Sequence, residues 1–567
     1  MRALVVLAAL AVLALVPAAA RAAGDQESTL QDDSLLVYGS PSEQSLALDM
    51  MKGLGVDRVR VSVIWKLVAP DSDASTKPKF DATDPSAYPS GAWDRYDTLV
   101  RLAEAKGMGV NFDLVDPAPL WATSNPPRAD AASVSNPDPA EFGKFVQAVG
   151  ARYSGSFTPP APAGATPPPA QSRALPLPAA TASAARAHAR ADAHAAQVAT
   201  GALPRVTYWS LWNEPNQSGW LAPQWQDGQP ASPRLYRALV DAAWTALAAT
   251  GHQSDVILTG ETAPKGSDAQ TATAPMKPLV FLRALYCVDK GLHPLQGAAA
   301  DAVGCPTQNN GADFAAAHPG LFAMTGYSHH PYNFPLAPNL KSRDPDFVAL
   351  ADTPRLESFL DGAFAAYGQS RPGGVPIFFT EYGYQTKPPD PLGISWAKQA
   401  SYLNESEYMA WNFPEVKSTS QFLLVDDKPN SAFAPGSIKY WSTFQTGLLE
   451  LDGSRKASFF SYPVPIWLPK THVRARRSFV VWGMRRNAAN GVPQQATVQY
   501  ATEKGRRYKA LKTLTTTDPR GYMEAKVAVP RSGSVRIAWH NPSGGPTYSP
   551  RGRMRRPPFS CSSMCAT

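Results

Sequence analysis

Val206-Thr207-Tyr208-Trp209-Ser210-Leu211 runs directly into Trp212-Asn213-Glu214-Pro215. The first six residues are mostly β-branched, aromatic or aliphatic, the composition of a buried strand. The next four put an amide, a carboxylate and a proline where that strand ends. A second such end lies 167 residues on, where Val375-Pro376-Ile377-Phe378-Phe379-Thr380 leads into Glu381-Tyr382-Gly383. Two carboxylates on two apolar strand ends decide the reading of the fold. In a (β/α)8 barrel the C-terminal tips of all the strands open onto one mouth, so residues far apart in sequence meet there.

The surrounding sequence has the rhythm such a barrel needs. Strand-like and amphipathic stretches alternate from residue 35 to about 465, the pattern of a parallel sheet covered by helices. The expected strands are residues 35–39, 56–65, 108–115, 206–211, 256–261, 322–330, 375–381 and 421–425. Helical stretches include 43–52, 96–106 and 234–249. Eight strands with seven intervening helices are enough to close an α/β TIM barrel. Residues 158–204 break the rhythm: Pro159, Pro160, Pro162 and Pro167 to Pro169 favour an extended, solvated chain, expected to act as a spacer on the side away from the mouth. Beyond Leu468 the helical periodicity stops. Short β-rich runs separated by Asn490-Gly491, Asp518-Pro519 and Ser532-Gly533 predict a small antiparallel β-sandwich. The expected partition is a barrel over 24–470, an accessory sandwich over 471–545 and a disordered basic tail over 546–567.

Composition fixes the compartment and narrows the partners. The 567 residues begin with Arg2, an apolar run from Ala3 to Val16, Pro17 and the small-residue site Ala20-Arg21-Ala22. That predicts a secretory signal peptide over residues 1–23; the alternative, an N-terminal membrane anchor, is disfavoured because the run is too short to span. No later apolar run is long enough for a membrane span. Of four cysteines, Cys287 and Cys305 flank a short polar loop and are expected to pair in an exported protein, whereas Cys561 and Cys565 pair locally or stay free. No Cys/His spacing fits zinc, and no metal or cofactor is expected. The net charge of +8 is concentrated in Arg474, Arg476 and Arg477 and in Arg551, Arg553, Arg555 and Arg556. Such clusters suit nucleic acid or an anionic cell envelope. Neither is interleaved with stacking aromatics in sequence, which argues against nucleic acid and leaves a weak attraction to the envelope.

Paired carboxylates on barrel strand ends are what glycoside hydrolysis needs, one as acid/base and one as nucleophile or base. Taken together these residues resemble glycoside hydrolase clan A, the retaining (β/α)8 glycosidases, most nearly families 39 and 5, over residues 35 to 465. The resemblance implies Glu214 as acid/base and Glu381 as nucleophile, with carboxyl groups about 5–5.5 Å apart. It further implies that Asn213 contacts the sugar, that Arg60 on the second strand holds the nucleophile ionised, and that His330 and Tyr332 belong to the site. The chemistry of the residues agrees, since a nucleophilic carboxylate needs cationic and hydroxyl donors beside it. Bland readings stay open. Arg60 could be a structural ion-pair residue, His329 and His330 core histidines, and Glu261 an orienting group. Trp396 is a candidate for substrate contact; like Trp65, Trp121, Trp220 and Trp225 it suits a sugar face or core packing equally. The expected activity is secreted, retaining hydrolysis of a polysaccharide or oligosaccharide; the alternative is a non-catalytic carbohydrate-binding or wall-associated protein on the same scaffold.

Overall fold

The computed structural model describes residues 25–160, 201–309, 311–474, 477–505, 507–541 and 545–555. The leader, most of the 158–204 insertion and Cys561 and Cys565 lie outside them. Eight parallel strands close into a barrel in the order β1-β8-β7-β6-β5-β4-β3-β2. They are β1 Glu27–Gln31, β2 Arg58–Ile64, β3 Gly109–Val115, β4 Tyr208–Leu211, β5 Val256–Thr262, β6 Gly326–His329, β7 Ile377–Phe379 and β8 Val416–Phe422. Seven main helices intervene: α1 Pro41–Leu54, α2 Asp94–Ala105, α3 Pro139–Arg152, α4 Ser232–Ala249, α5 Pro278–Leu285, α6 Thr353–Ala366 and α7 Trp396–Trp411. Local chemistry sets their ends. In α1, Ser40 and Glu43 form a reciprocal capping box, Pro41 occupies the first turn and Gly55 closes the helix at φ 88°.

The strands show why this barrel can hold a polar site. In β2, Val59, Val61 and Val63 are fully buried against the helical layer, so Arg60 and Ser62 point into the barrel. In β3, Phe112 and Leu114 face the helices and Asn111 and Asp113 face inward. Asn111 donates to Ser210 Oγ of β4 at 3.1 Å, and Gln31 of β1 donates to Ser62. The interior is thus a hydrogen-bonded ladder beneath the mouth.

Two expected strands are displaced. Residues 35–39 do not form the first strand: Leu35 and Leu36 are buried within a helical turn, Asp33–Leu36. The strand is the more polar Glu27–Gln31, paired with β2 through Gln31 and Arg60 and with β8 along its length. The eighth strand ends at Phe422, where 421–425 was expected. At the insertion, Leu203 N donates to Phe157 O at 2.8 Å, which holds its two described ends together between α3 and β4, and Arg101 of α2 donates to Ala202 O at 3.0 Å. Cys287 and Cys305 are disulfide-bonded, with Cα atoms 5.9 Å apart.

After the barrel come two antiparallel sheets. One joins β9 Ile466–Trp467, β10 Phe479–Met484 and β13 Tyr522–Val527. The other joins β11 Gln494–Thr502, β12 Lys509–Thr516, β14 Gly533–Trp539, β15 Thr547–Tyr548 and β16 Gly552–Met554. Val481, Val498, Ala525, Val535, Ile537 and Trp539 share one core between them, which makes a sandwich. Residues 547–555 depart from the disordered tail expected over 546–567, because β15 and β16 both pair with β14; residues 556–567 lie outside the described residues. Met554 fills the sandwich core and supplies the apolar anchor that the basic composition concealed.

Candidate active site

Each predicted site residue stands at the same end of the barrel. Arg60 comes from β2, Asn213 and Glu214 follow β4, His330 follows β6, and Glu381 lies two residues past β7. Chain direction at β4 is reversed by backbone in the left-handed region, with φ 70° at Trp212 and 34° at Glu214. Non-glycine residues there carry strain that the surroundings must hold, a feature common at functional sites. Trp212, wholly buried, donates its indole N–H to Trp220 O at 3.0 Å and fixes the loop.

Arg60 is the hub. Its guanidinium donates to Glu381 Oε1 at 2.7 Å, Asp113 Oδ2 at 2.9 Å, and Asn213 Oδ1 and Glu261 Oε2, each at 3.0 Å, and also to Gln31. Burial opposes its charge, but the three carboxylates outweigh burial and hold it protonated. Tyr332 donates to Glu381 Oε2 at 3.1 Å, so both nucleophile-type oxygens are engaged. Burial and the Glu381 charge push the Tyr332 phenol well above its usual range, which keeps it a donor. Desolvation raises the Glu381 carboxyl; His330 and Arg60 pull it down, while Glu214 and Glu261 push it up, and it stays above the ordinary value.

His330 ties the site together. Its Nδ1 lies 2.9 Å from Glu214 Oε1 and 3.6 Å from Glu381 Oε2, and its Nε2 lies 2.8 Å from Glu261 Oε2. Burial works against the charge, yet the surrounding carboxylates raise it to about 10, so the ring is an imidazolium donating from both nitrogens. His329 has the opposite fate. Burial lowers it to about 3, and the neutral ring bridges Thr262 and Val348 O, in line with the core reading.

Several site residues lay outside the motifs. Glu261, weighed as an orienting group, is completely buried and accepts from Arg60, His330 and Thr380. Burial raises its carboxyl, but those donors bring it down to about 2. The bulge between Thr259 and Thr262 aims it inward, and Gly260 sits there at φ 124° with Ser328 O only 2.5 Å from where a Cβ would lie. Asp113 and Gln31 carry no motif; only strand alternation beside Arg60 signals them. Trp220 donates to Glu214 Oε2 at 3.1 Å from a partly exposed position. Trp65 and Trp225 are core residues, whereas Trp121 is half-buried and meets Trp65 edge-on. Trp396 starts α7 and donates to Pro388 O, which ties it to the loop after β7 and not to the carboxylates.

Oxygen atoms of Glu214 and Glu381 and a nitrogen of His330 lie within 4.8 Å of one another. Both His330 nitrogens are engaged, one by Glu214 and the other by Glu261. Two carboxyl groups this close can protonate a substrate bond from one and attack its carbon from the other. No family model matches the chain, and no curated protein matches it in sequence. Among solved structures, the GH39 enzyme from Xanthomonas axonopodis pv. citri aligns over 90% of this chain and 93% of that one, at 13% identity and TM-score 0.42. A monomeric beta-xylosidase from Caulobacter crescentus CB15 aligns over 92% and 98%, at 14% identity and TM-score 0.42. A beta-glucosidase from Thermotoga maritima in complex with castanospermine aligns over 77% and 96%, at 11% identity and TM-score 0.43. Likenesses at this level carry no inference about activity.

Proposed function

We propose that this chain is a retaining glycoside hydrolase that cleaves O-glycosidic bonds of a polysaccharide or oligosaccharide outside the cell. The observation that carries the reading is the short approach of Glu214 and Glu381, with oxygens within 4.8 Å at the barrel mouth. Such a close approach supports retention, because inverting pairs stand about 6.5–9.5 Å apart to admit a water. The leader-like first 23 residues and the Cys287–Cys305 disulfide support export.

The roles follow from the contacts. Glu381, held at both oxygens by Arg60 and Tyr332, attacks the anomeric carbon as Glu214 gives its proton to the departing glycosidic oxygen. Glu214 then takes a proton from the water that releases the sugar from Glu381. Because Asn213 Oδ1 already accepts from Arg60, its amide N–H₂ is the group left to donate to the sugar 2-hydroxyl. Tyr332 also stacks at 22° on Tyr382, with ring centroids 6.1 Å apart, which steadies its hydroxyl.

The test is kinetic. A panel of nitrophenyl glycosides identifies a substrate, and NMR of the first product reports the anomer, expected to be retained. Glu381→Gln should abolish turnover on every substrate. Glu214→Ala should lose about 10²–10⁴-fold on a natural linkage but keep most of its glycosylation rate on a dinitrophenyl glycoside, which leaves without a proton. An inverted product, or a Glu381→Gln variant that stays active, sinks the assignment.

A further inference from the structure

Charge is divided sharply along the chain. Of 54 Lys and Arg and 46 Asp and Glu, 19 and three respectively fall between residues 466 and 567, a net +16 against −8 for everything before. Folding gathers much of this charge. Val473 N donates to Arg555 O, and Arg555 N to Thr471 O, so the cluster containing Arg474 and Arg477 lies beside the one containing Arg551, Arg553 and Arg555 although some 80 residues separate them. All five of these arginines are exposed.

The five-stranded sheet gives the patch a shape. Val535, Ile537 and Trp539 of β14 fill the core, so Ser534 and Arg536 face outward, and Arg553 pairs opposite Ser534 on that outer face. The other sheet is the one that meets the barrel, through Trp482, Met484 and Tyr522 against Tyr408 and Trp411. The outer face of the five-stranded sheet therefore looks away from the barrel. On it, the Arg536 guanidinium lies 4.0 Å from the Tyr508 ring centroid and 3.8 Å from that of Tyr548, and Arg551 lies 5.6 Å from Tyr508. The aromatic interleaving missing from the local sequence is supplied by the fold. Among the described residues, none of Arg474, Arg477, Arg536, Arg551, Arg553 and Arg555 has an ion-pair partner. Tyr548 is 44% exposed.

We propose that this arginine–tyrosine face binds an acidic polysaccharide, a sugar chain bearing carboxylates. Guanidinium forks match carboxylates in pairs, and tyrosine rings suit the C–H faces of pyranoses, so a uronate chain uses both halves of the surface. The choice of a sugar among polyanions rests on the glycosidase reading; the charge complementarity does not.

Binding of the full-length chain to polygalacturonate, neutral dextran, single-stranded oligo-dT and phosphatidylglycerol vesicles, by titration calorimetry over a salt series, tests this. Polygalacturonate should bind with an affinity that falls with salt, and dextran should not bind. Arg551→Glu with Arg553→Glu should weaken polygalacturonate binding by about tenfold or more. Tyr548→Ala should weaken it several-fold with an unchanged salt slope. Both variants should match the parent in nitrophenyl glycoside turnover, which also shows that they fold. No binding, equal binding of dextran, tighter binding of oligo-dT or vesicles, or variants that bind like the parent each overturn the proposal. Because binding is read without turnover, a chain that binds polygalacturonate but hydrolyses no glycoside defeats only the catalytic reading.

Discussion

His330 lies wholly out of water between three carboxylates and is held charged to about 10. A histidine raised this way stabilises the fold fully below its unfolded value near 6.5, and the contribution fades as pH rises through about 10. The neutral His330→Gln variant leaves Glu214, Glu261 and Glu381 facing one another with Arg60 as the remaining cation. Urea titrations should show it about 2–4 kcal/mol less stable than the parent at pH 6, as expected when one partner of a buried ionic group is removed. By pH 10 the gap should narrow. A gap that is the same at both pH values refutes the charged ring. The neighbouring His329 shows what sequence alone cannot separate. Two adjacent histidines leave a strand in opposite directions, and only the fold shows that one meets Thr262 and Val348 while the other meets carboxylates.

Among the elements, α7 carries the least expected load. Its buried side includes Asn404, Glu405, Ser406 and Glu407, polar residues where an amphipathic helix normally presents apolar ones. Glu407 has Arg486 as a partner. For Glu405, 7% exposed, desolvation alone raises the carboxyl to about 7. A carboxylate raised on folding is neutral in both states below about 4.3, and then costs stability as pH climbs toward 7, because the unfolded chain releases its proton first. Glu405→Gln should therefore match the parent at pH 4 and exceed it by about 1–3 kcal/mol at pH 7.5, measured by denaturant unfolding. Equal stability at both pH values refutes the desolvation argument. The same mismatch between polarity and burial explains which elements could be read from sequence. Strands β4 and β5 were legible because apolar residues mark them. Strand β1, Glu27–Gln31, and strand β8, Val416–Phe422, were displaced in the reading because Thr29, Gln31, Ser418 and Ser420 are buried polar residues. An apolar-run criterion passes over such strands and settles on Leu35–Leu36 and Leu423–Val425 nearby. Glu214 and Glu381, the pair proposed to be catalytic, were legible because each follows its own apolar strand. Gln31 and Asp113 carry only the weak signal of strand alternation until eight strands bring them to Arg60, and Trp220, which suits sugar face or core equally in sequence, is placed only by its bond to Glu214.

At the scale of the whole molecule, the sandwich is not a detachable appendage. Arg486, in the turn after β10, is buried against the barrel, where it donates to Glu407, Ser28 and Tyr462 O and lies 4.1 Å from the Tyr462 ring centroid. Tyr522 of β13 donates to Gln26 Oε1 and Glu407 Oε1, each at 3.3 Å. Trp482 and Tyr522 cover Tyr408 and Trp411. Burial opposes the Arg486 charge but Glu407 more than restores it, so removing either partner strands the other in a dry junction. A chain ending near residue 465 would leave Glu407 without its cation and the aromatic face of α7 in water. The expected outcome is a single calorimetric transition for the full-length protein, with barrel and sandwich unfolding together. Arg486→Met should lower stability by about 3–5 kcal/mol, and adding Glu407→Leu should recover much of that loss, because the cost lies in the unpaired charge and not in the missing pair. Two separate transitions in the parent, or a barrel fragment as stable as the whole, would show that the junction is only contact.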